Sequence, residues 1–321
     1  MRREKTLNTV GERELIRLLM GAPCSDPAVL IGPGDDAAVV RPRPGREVVL
    51  KADAIVENVH FLPDAAPFWI GHKAAARVLS DFAAMGATPR HLLVSLAAPG
   101  RTPVSRVKGI YKGLRDLCDA FGVSVVGGET VTASELALHI FGTGELPRGR
   151  ALTRSGAKPG DVVMVTGALG GSIRGKHLRF EPRVREGQWL SAGNWATASI
   201  DVSDGLATDL FHLAEASGVH VDLDAARIPI ATAARAMKSP REPLSRALFD
   251  GEDFELIFTV RPRRVESFLH AWRERFDLRV TAIGLIGRGA GPIRLHRAGQ
   301  EIVELTNGGY EHFSHKPAST T

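Results

Sequence analysis

Aromatic side chains make up only 6% of this chain, and its 321 residues include just two cysteines, Cys24 and Cys118. Few aromatics means few platforms for base stacking. Arg and Lys are scattered rather than gathered in blocks, so the net charge of +5 does not read as a nucleic-acid surface. Such a balance suits phosphorylated small molecules equally well. Two cysteines exclude a disulfide framework and fit a reducing cytoplasm, with both thiols as small core fillers. No apolar run approaches the roughly 20 residues of a membrane span. The polar start Met1-Arg2-Arg3-Glu4-Lys5 leads into an amphipathic helix without the apolar core of a signal peptide.

The remainder, 44% hydrophobic and 24% charged, is an ordinary globular composition, long enough for two domains. Strand and helix patterns alternate. A helix is expected over residues 71–86, where Ala74, Ala75, Val78, Leu79 and Phe82 recur at helical spacing, and another around Val107, Ile110, Leu114 and Phe121. Strands are expected at 47–53, 92–97, 123–126 and 136–141. The glycine- and proline-rich stretch 142–160 marks the best boundary, dividing the chain into a first domain (1–147), a second (148–313) and a disordered tail (314–321). Beyond it, further strands are expected at 161–165, 219–223, 256–260, 280–286, 293–296 and 302–305, with a helix over 263–276. The turn Gly167-Ala168-Leu169-Gly170-Gly171-Ser172 is able to bring backbone N–H groups to a phosphate, although it lacks the lysine of a Walker A loop.

Acidic residues recur where these strands end. Asp36 follows Gly32-Pro33-Gly34, Asp53 closes strand 47–53, and Glu129 follows Gly127-Gly128. Asp201 and Asp204 flank Val202-Ser203, and Glu252 follows Gly251. Asp81 falls in the last turn of its helix, where a carboxylate opposes the helix dipole; pairing with Arg77 is the alternative explanation. Ser203 or Asp204 is able to cap the helix that follows. Ligands bind at strand ends in α/β sheets, so seven such acids suggest one polyanion site neutralised by Mg²⁺ on hard oxygen ligands. Without a P-loop, phosphoryl transfer needs this kind of charge neutralisation. Arg154 is a candidate for a phosphate, or equally a solvated surface arginine.

The segments Gly34-Asp35-Asp36-Ala37-Ala38, Asp53 with Val59-His60-Phe61, Leu79-Ser80-Asp81-Phe82-Ala83-Ala84-Met85-Gly86-Ala87, Gly127-Gly128-Glu129-Thr130, Gly149-Arg150-Ala151-Leu152-Thr153-Arg154-Ser155-Gly156-Ala157, Asp201-Val202-Ser203-Asp204-Gly205-Leu206 and Gly251-Glu252-Asp253-Phe254-Glu255-Leu256 together resemble the thiamine-monophosphate kinase family. The likeness runs in order over nearly the whole chain. It implies an α/β (α+β) fold, the two-domain PurM-like fold of the aminoimidazole ribonucleotide synthetase superfamily, with homodimers formed through the N-terminal domain. It implies ATP-dependent conversion of thiamine monophosphate to thiamine diphosphate by direct in-line transfer with several Mg²⁺. By motif position, Asp36, Asp53, Asp81, Glu129, Asp201 and Asp204 are the implied Mg²⁺ ligands, with Asp53, Asp81 and Asp204 central to catalysis. Gly128, Glu129, Arg154 and Ser203 are implied at ATP, and His60, Glu252 and Tyr310 at the thiamine phosphate.

Three departures from the family pattern stand out. Glu129 replaces a usual Asp, Lys51-Ala52 replaces a usual Ser-Thr, and the segment after Ser172 is shorter, which should open or reshape one wall of the site. The Lys51 ammonium, if turned into the site, would replace part of one cation's charge. Two other readings are another ATP-using enzyme of the superfamily and a thiamine-phosphate-binding paralogue with impaired catalysis.

Overall fold

A computed structural model describes residues 5–20, 26–32, 37–299 and 301–305, with the side chains of Arg13 and Met20 left aside. Cys24 and the tail 314–321 lie outside the described residues. The chain divides into two compact units, one of Met1–Ala151 with Leu178–Ala192, the other of Leu152–His177 with Gly193–Thr321.

The first unit begins with two helices, α1 (Leu7–Val10) and α2 (Glu12–Met20), and a small ladder of β1 (Val29–Ile31) and β2 (Val39–Val40). Its main sheet has four strands in the order β3 (Arg46–Val56), β6 (Ala137–Pro147), β4 (Thr88–Ala98), β5 (Ser124–Thr132). β3 and β4 run antiparallel to β6, and β5 runs parallel to β4. Alternation along β4 sends Leu92, Val94, Leu96 and Ala98 into the core and leaves Leu93 exposed on the other face. The buried face is covered by α3 (Pro67–Ala84) and α4 (Val104–Phe121). These helices cross at glycines on both sides: a Cβ on Gly71 would lie 1.7 Å from the Ile110 carbonyl oxygen, and one on Gly113 1.8 Å from that of Phe68. The backbones approach that closely only because no side chain intervenes. Cys118, on α4, is buried, and burial pushes its thiol up to about 12, so it acts as a core filler.

The returning segment Leu178–Ala192 supplies α6 (Val184–Ala192), reached through the short α5 (Lys176–Arg179). It is held by His72 Nε2 against the Phe180 carbonyl (2.8 Å) and by Ser191 Oγ donating to the Arg150 carbonyl (2.7 Å).

The second unit is a seven-stranded sheet in the order β13 (Val303–Leu305), β12 (Ile293–His296), β9 (His220–Asp224), β11 (Val280–Gly287), β7 (Val162–Thr166), β10 (Leu256–Val260), β8 (Ala196–Asp201). Every pairing is antiparallel except β12 with β9. All five residues of β10 are buried, as a mostly apolar run covered on both faces should be, and the hydroxyl of its one polar residue, Thr259, accepts the Ala198 N–H at 3.1 Å. Ile257 joins the cluster under α7 (Leu206–Ser217), with Leu206, Leu210 and Leu213. Phe258 faces α10 (Val265–Arg275), stacking on Trp272 at 6.0 Å and meeting Phe268 edge-on. Two short helices, α8 (Thr232–Ala236) and α9 (Pro243–Phe249), complete the unit.

Two strand expectations need correction. β3 continues to Val56 and β5 runs from Ser124 through Gly127-Gly128-Glu129 to Thr132. Pairing with a long neighbour carries both past the residues at which the apolar pattern stops: Asp53 opposes Ile140 of β6, and Glu129 opposes Ser95 of β4. These two acids therefore lie inside strands, not at their ends.

Candidate active site

In the first unit the period of two along β3 turns Lys51 and Asp53 toward α3, while Leu50 and Ala52 face away. On α3, Arg77 and Asp81 lie one turn apart. Arg77 grips Asp53 with a fork, Nε to Oδ2 and Nη2 to Oδ1, both at 3.1 Å. Lys51 Nζ lies 3.0 Å from Asp81 Oδ2. Arg77 thus holds the strand aspartate, and the ammonium of Lys51 reaches the helix aspartate.

His60 follows β3 in a tight loop. Its Nδ1 accepts the Val56 N–H (3.1 Å), and its carbonyl accepts from Lys73 Nζ (2.7 Å), the ammonium of a lysine fully buried in α3. Burying an ammonium costs several kcal/mol unless it is well paired, so this loop is held firmly. Gly128 packs flat on β4, where a Cβ would lie 1.9 Å from the Val94 carbonyl oxygen. Glu129 is exposed, its carboxylate accepting the Thr130 N–H at 2.7 Å. Gly128 and Glu129 border a cavity of about 910 Å³ beside the sheet, lined by Leu50, Leu93 and Phe141 and also by Ile16 and Leu19 of α2 and Val40 of β2.

In the second unit, Asp201 is buried at the end of β8, opposite Leu256. The loop after it is zipped to the segment before β10. Phe254 N–H donates to the Val202 carbonyl (2.8 Å), Glu252 N–H to the Ser203 carbonyl (2.7 Å), and Val202 N–H to the Glu255 carbonyl (2.8 Å). This brings Asp201, Ser203, Asp204 and Glu252 into one neighbourhood. Glu252 and Phe254 both hold positive φ, 54° and 50°, a backbone strain that residues with a Cβ rarely bear outside functional loops.

Neither Ser203 nor Asp204 caps α7; its N-cap is Gly205. Asp209, in the first turn, reaches back instead, its Oδ2 accepting the N–H groups of Asp204 (3.0 Å) and Gly205 (3.1 Å). Burial, then the negative charges of Asp201 and Asp204, push the Asp209 carboxyl well above the ordinary range. The sequence reading missed this residue. An acid in the first turn of an expected helix was the available signal.

The glycine-rich turn is not a phosphate cradle. Gly170 N–H donates to Asp253 Oδ2 (2.7 Å) and Gly171 N–H to Asp250 Oδ2 (3.3 Å), while Gly167 and Leu169 N–H reach the Arg279 and Pro229 carbonyls. Carboxylates of the chain hold the donors that a phosphate would need. Lys176 Nζ completes this region, 2.8 Å from Glu255 Oε1 and 3.7 Å from Asp253 Oδ1. Arg154 is exposed on a loop pinned by Ser217 Oγ, which donates to the Arg154 carbonyl at 2.9 Å.

Asp36 and Tyr310 lie outside the described residues. Of the other expected residues, Asp53, Asp81, His60, Gly128 and Glu129 belong to the first unit, and Arg154, Asp201, Ser203, Asp204 and Glu252 to the second. Among the described residues no three His, Cys, Asp or Glu side chains form a metal-holding group. The donor chemistry nevertheless fits Mg²⁺: all are hard carboxylate oxygens. Burial first, and then the nearby carboxylates of Asp201 and Asp204, push the Asp209 carboxyl upward, so acids are grouped here that a divalent cation would neutralise.

Comparison with known proteins bears on the same residues. A family model described as "AIR synthase related protein, N-terminal domain" matches residues 34–146. Thiamine-monophosphate kinase of Bacillus subtilis (strain 168) is 35% identical over 328 residues, covering 95% of this chain and all of its own length. The crystal structure of thiamine-monophosphate kinase from Stenotrophomonas maltophilia K279a aligns with a TM-score of 0.77 at 34% identity, over 89% of this chain and 95% of that one. A structure of AaThiL complexed with AMPPCP and TMP aligns with a TM-score of 0.74 at 30% identity, over 96% of this chain and 99% of that one.

Proposed function

The chain belongs to the thiamine-monophosphate kinase family, with its PurM-like fold, and from that membership we propose that it transfers the γ-phosphoryl group of ATP to thiamine monophosphate, giving thiamine diphosphate. The observation that best supports this reading is the backbone zipper joining Asp201–Gly205 to Gly251–Glu255, which gathers carboxylates from two separate motifs in one loop pair. Transfer between phosphates is mainly positioning and charge neutralisation. The acceptor, a phosphate monoester, is already ionised near neutral pH, so no strong general base is required.

In this reading Asp36, Asp53, Asp81, Glu129, Asp201 and Asp204 hold Mg²⁺, which when bound supplies the neutralising charge between donor and acceptor phosphates. Gly128, whose missing side chain lets its strand pack flat on β4, meets ATP in this reading, and Glu129 follows it. Ser203 and Arg154 meet ATP, the guanidinium as a bidentate phosphate ligand. His60, fixed by Val56 and Lys73, meets the thiamine phosphate together with Glu252 and Tyr310. Asp53, Asp81 and Asp204 have the central catalytic role. A cytoplasmic location goes with an ATP-using enzyme, and no helix among the described residues is long and apolar enough to cross a membrane. We also infer a homodimer through the uncovered sheet face of the first unit.

The test is direct. Purified protein with ATP, Mg²⁺ and thiamine monophosphate should form thiamine diphosphate, followed by chromatography. Asp81→Asn should lower turnover at least a hundredfold while far-UV circular dichroism stays unchanged. Binding of thiamine monophosphate without product would favour a binding paralogue, and near-normal turnover in Asp81→Asn would show that the metal set is misassigned.

A further inference from the structure

Strand β3 and helix α3 each bring one acid and one base to their shared seam, and the charges pair crosswise. Asp53 of the strand takes Arg77 of the helix, and Asp81 of the helix takes Lys51 of the strand. The two pairs are unequal. Arg77–Asp53 is a two-point fork with side chains 16% and 18% exposed, whereas Lys51–Asp81 is a single contact with side chains 33% and 27% exposed. A planar fork is pre-organised and hard to displace; an ammonium on a four-carbon stem is a hydrated point charge free to swing away. We propose that Lys51 is the built-in counter-ion of Asp81, and that Mg²⁺ loads onto the first unit of this chain in competition with that ammonium.

The proposal rests on the reading of Asp81 as a Mg²⁺ ligand. Its chemistry needs nothing beyond the seam. A carboxylate held 3.0 Å from a cation already has part of the Coulombic stabilisation that a metal ion would supply, and the ammonium must be displaced for the metal to supply the rest. An incoming divalent ion gains only the difference. With its own cations in place, the seam keeps both acids neutralised when metal is scarce. The Mg²⁺ concentration needed for half-saturation then rises.

Lys51→Met keeps the stem and removes the charge. Titrated with MgCl₂ alone, without nucleotide, the full-length variant should bind about fivefold more tightly than the parent, the scale expected for losing a partly exposed ion pair. Calorimetry and the Mg²⁺-dependent rise in melting temperature both report it. Lys51→Gln serves as a second neutral variant should the methionine form not fold. Lys112→Met, which removes another exposed ion pair, with Asp116 on α4, should leave the Mg²⁺ curve unchanged and exclude a general effect of lost positive charge. In an Asp81→Asn background, Lys51→Met should give no further gain. Superimposed curves for the parent and Lys51→Met, weaker binding by Lys51→Met, or an equal gain in the Asp81→Asn background would each overturn the proposal. A parent protein that makes no thiamine diphosphate overturns the kinase reading instead, and leaves the Mg²⁺ curves to judge Lys51.

Discussion

Asp253 shows how the site's charge economy reaches stability. Burial is the largest influence on its carboxyl and carries it up to about 6, against the downward pulls of Lys176 and the Gly170 N–H. The folded state therefore holds this proton more tightly than the unfolded chain, whose value lies near 3.8. Stability from that preference is fully present below about pH 4 and is lost as pH rises through about 6. Asp253→Asn is neutral throughout, so its stability relative to the parent should increase from pH 4.5 to pH 7.5 by about 2 kcal/mol, two pKa units being worth slightly more than that. Urea unfolding at the two pH values measures it, and a constant difference would mean that Asp253 is ionised at both. Single residues of this kind were poorly legible in the sequence. Asp253 reads as one more acid in a Gly-acid turn, and only the fold shows its Oδ2 accepting the Gly170 N–H while its Oδ1 is buried without a hydrogen bond among the described residues, 3.7 Å from Lys176 Nζ. Asp209 was hidden for the same reason, since its role depends on where the Asp204 and Gly205 amides point.

Whole elements follow from periodicity more directly. The apolar spacing of Ala74, Ala75, Val78, Leu79 and Phe82 announces α3, and the largely apolar run of β10 announces a strand buried on both faces. Element ends do not follow. β3 and β5 outrun their apolar patterns because ladder bonds to eleven-residue neighbours extend them, and this moved Asp53 and Glu129 from strand ends to strand interiors. The glycine-rich turn misled in another way. Glycines permit close approach but do not say what approaches, and here the partners are carboxylates of the chain itself. Gly71 is the sharper case, where the missing side chain is filled by the Ile110 carbonyl of α4. Gly71→Ala would gain up to about 1 kcal/mol of helix propensity, but its Cβ, 1.7 Å from that oxygen, forces the crossing apart. Overpacking at a rigid backbone should win, for a net loss of about 2 to 3 kcal/mol. An unchanged urea midpoint for Gly71→Ala would show that α3 and α4 cross with more room than the structure has.

At the scale of the molecule, the described residues of the first unit expose large apolar side chains on the sheet face opposite α3 and α4. α3 and α4 cover one face of the four-stranded sheet, and the same alternation that buries Leu92, Val94 and Leu96 exposes Leu50 (75%) and Phe141 (48%) on the other. Leu93 joins them around the 910 Å³ cavity. A contiguous apolar patch is unusual on a monomer, and in the homodimer reading proposed above this is the face on which a second copy packs. The simplest closed partner for a single surface is a second copy of itself about a two-fold axis, burying roughly 800 Å² per protomer in a standard interface. Sheet packed on sheet would place Leu50 and Phe141 in the dry centre of that interface, where charge is least tolerated. Leu50→Glu should therefore convert a dimer into a monomer at micromolar concentration, as measured by sedimentation velocity, without altering the fold of the isolated unit, because the side chain lies outside its core. A parent chain that sediments as a monomer, or a Leu50→Glu variant that still dimerises, would remove the two-fold interface from this face.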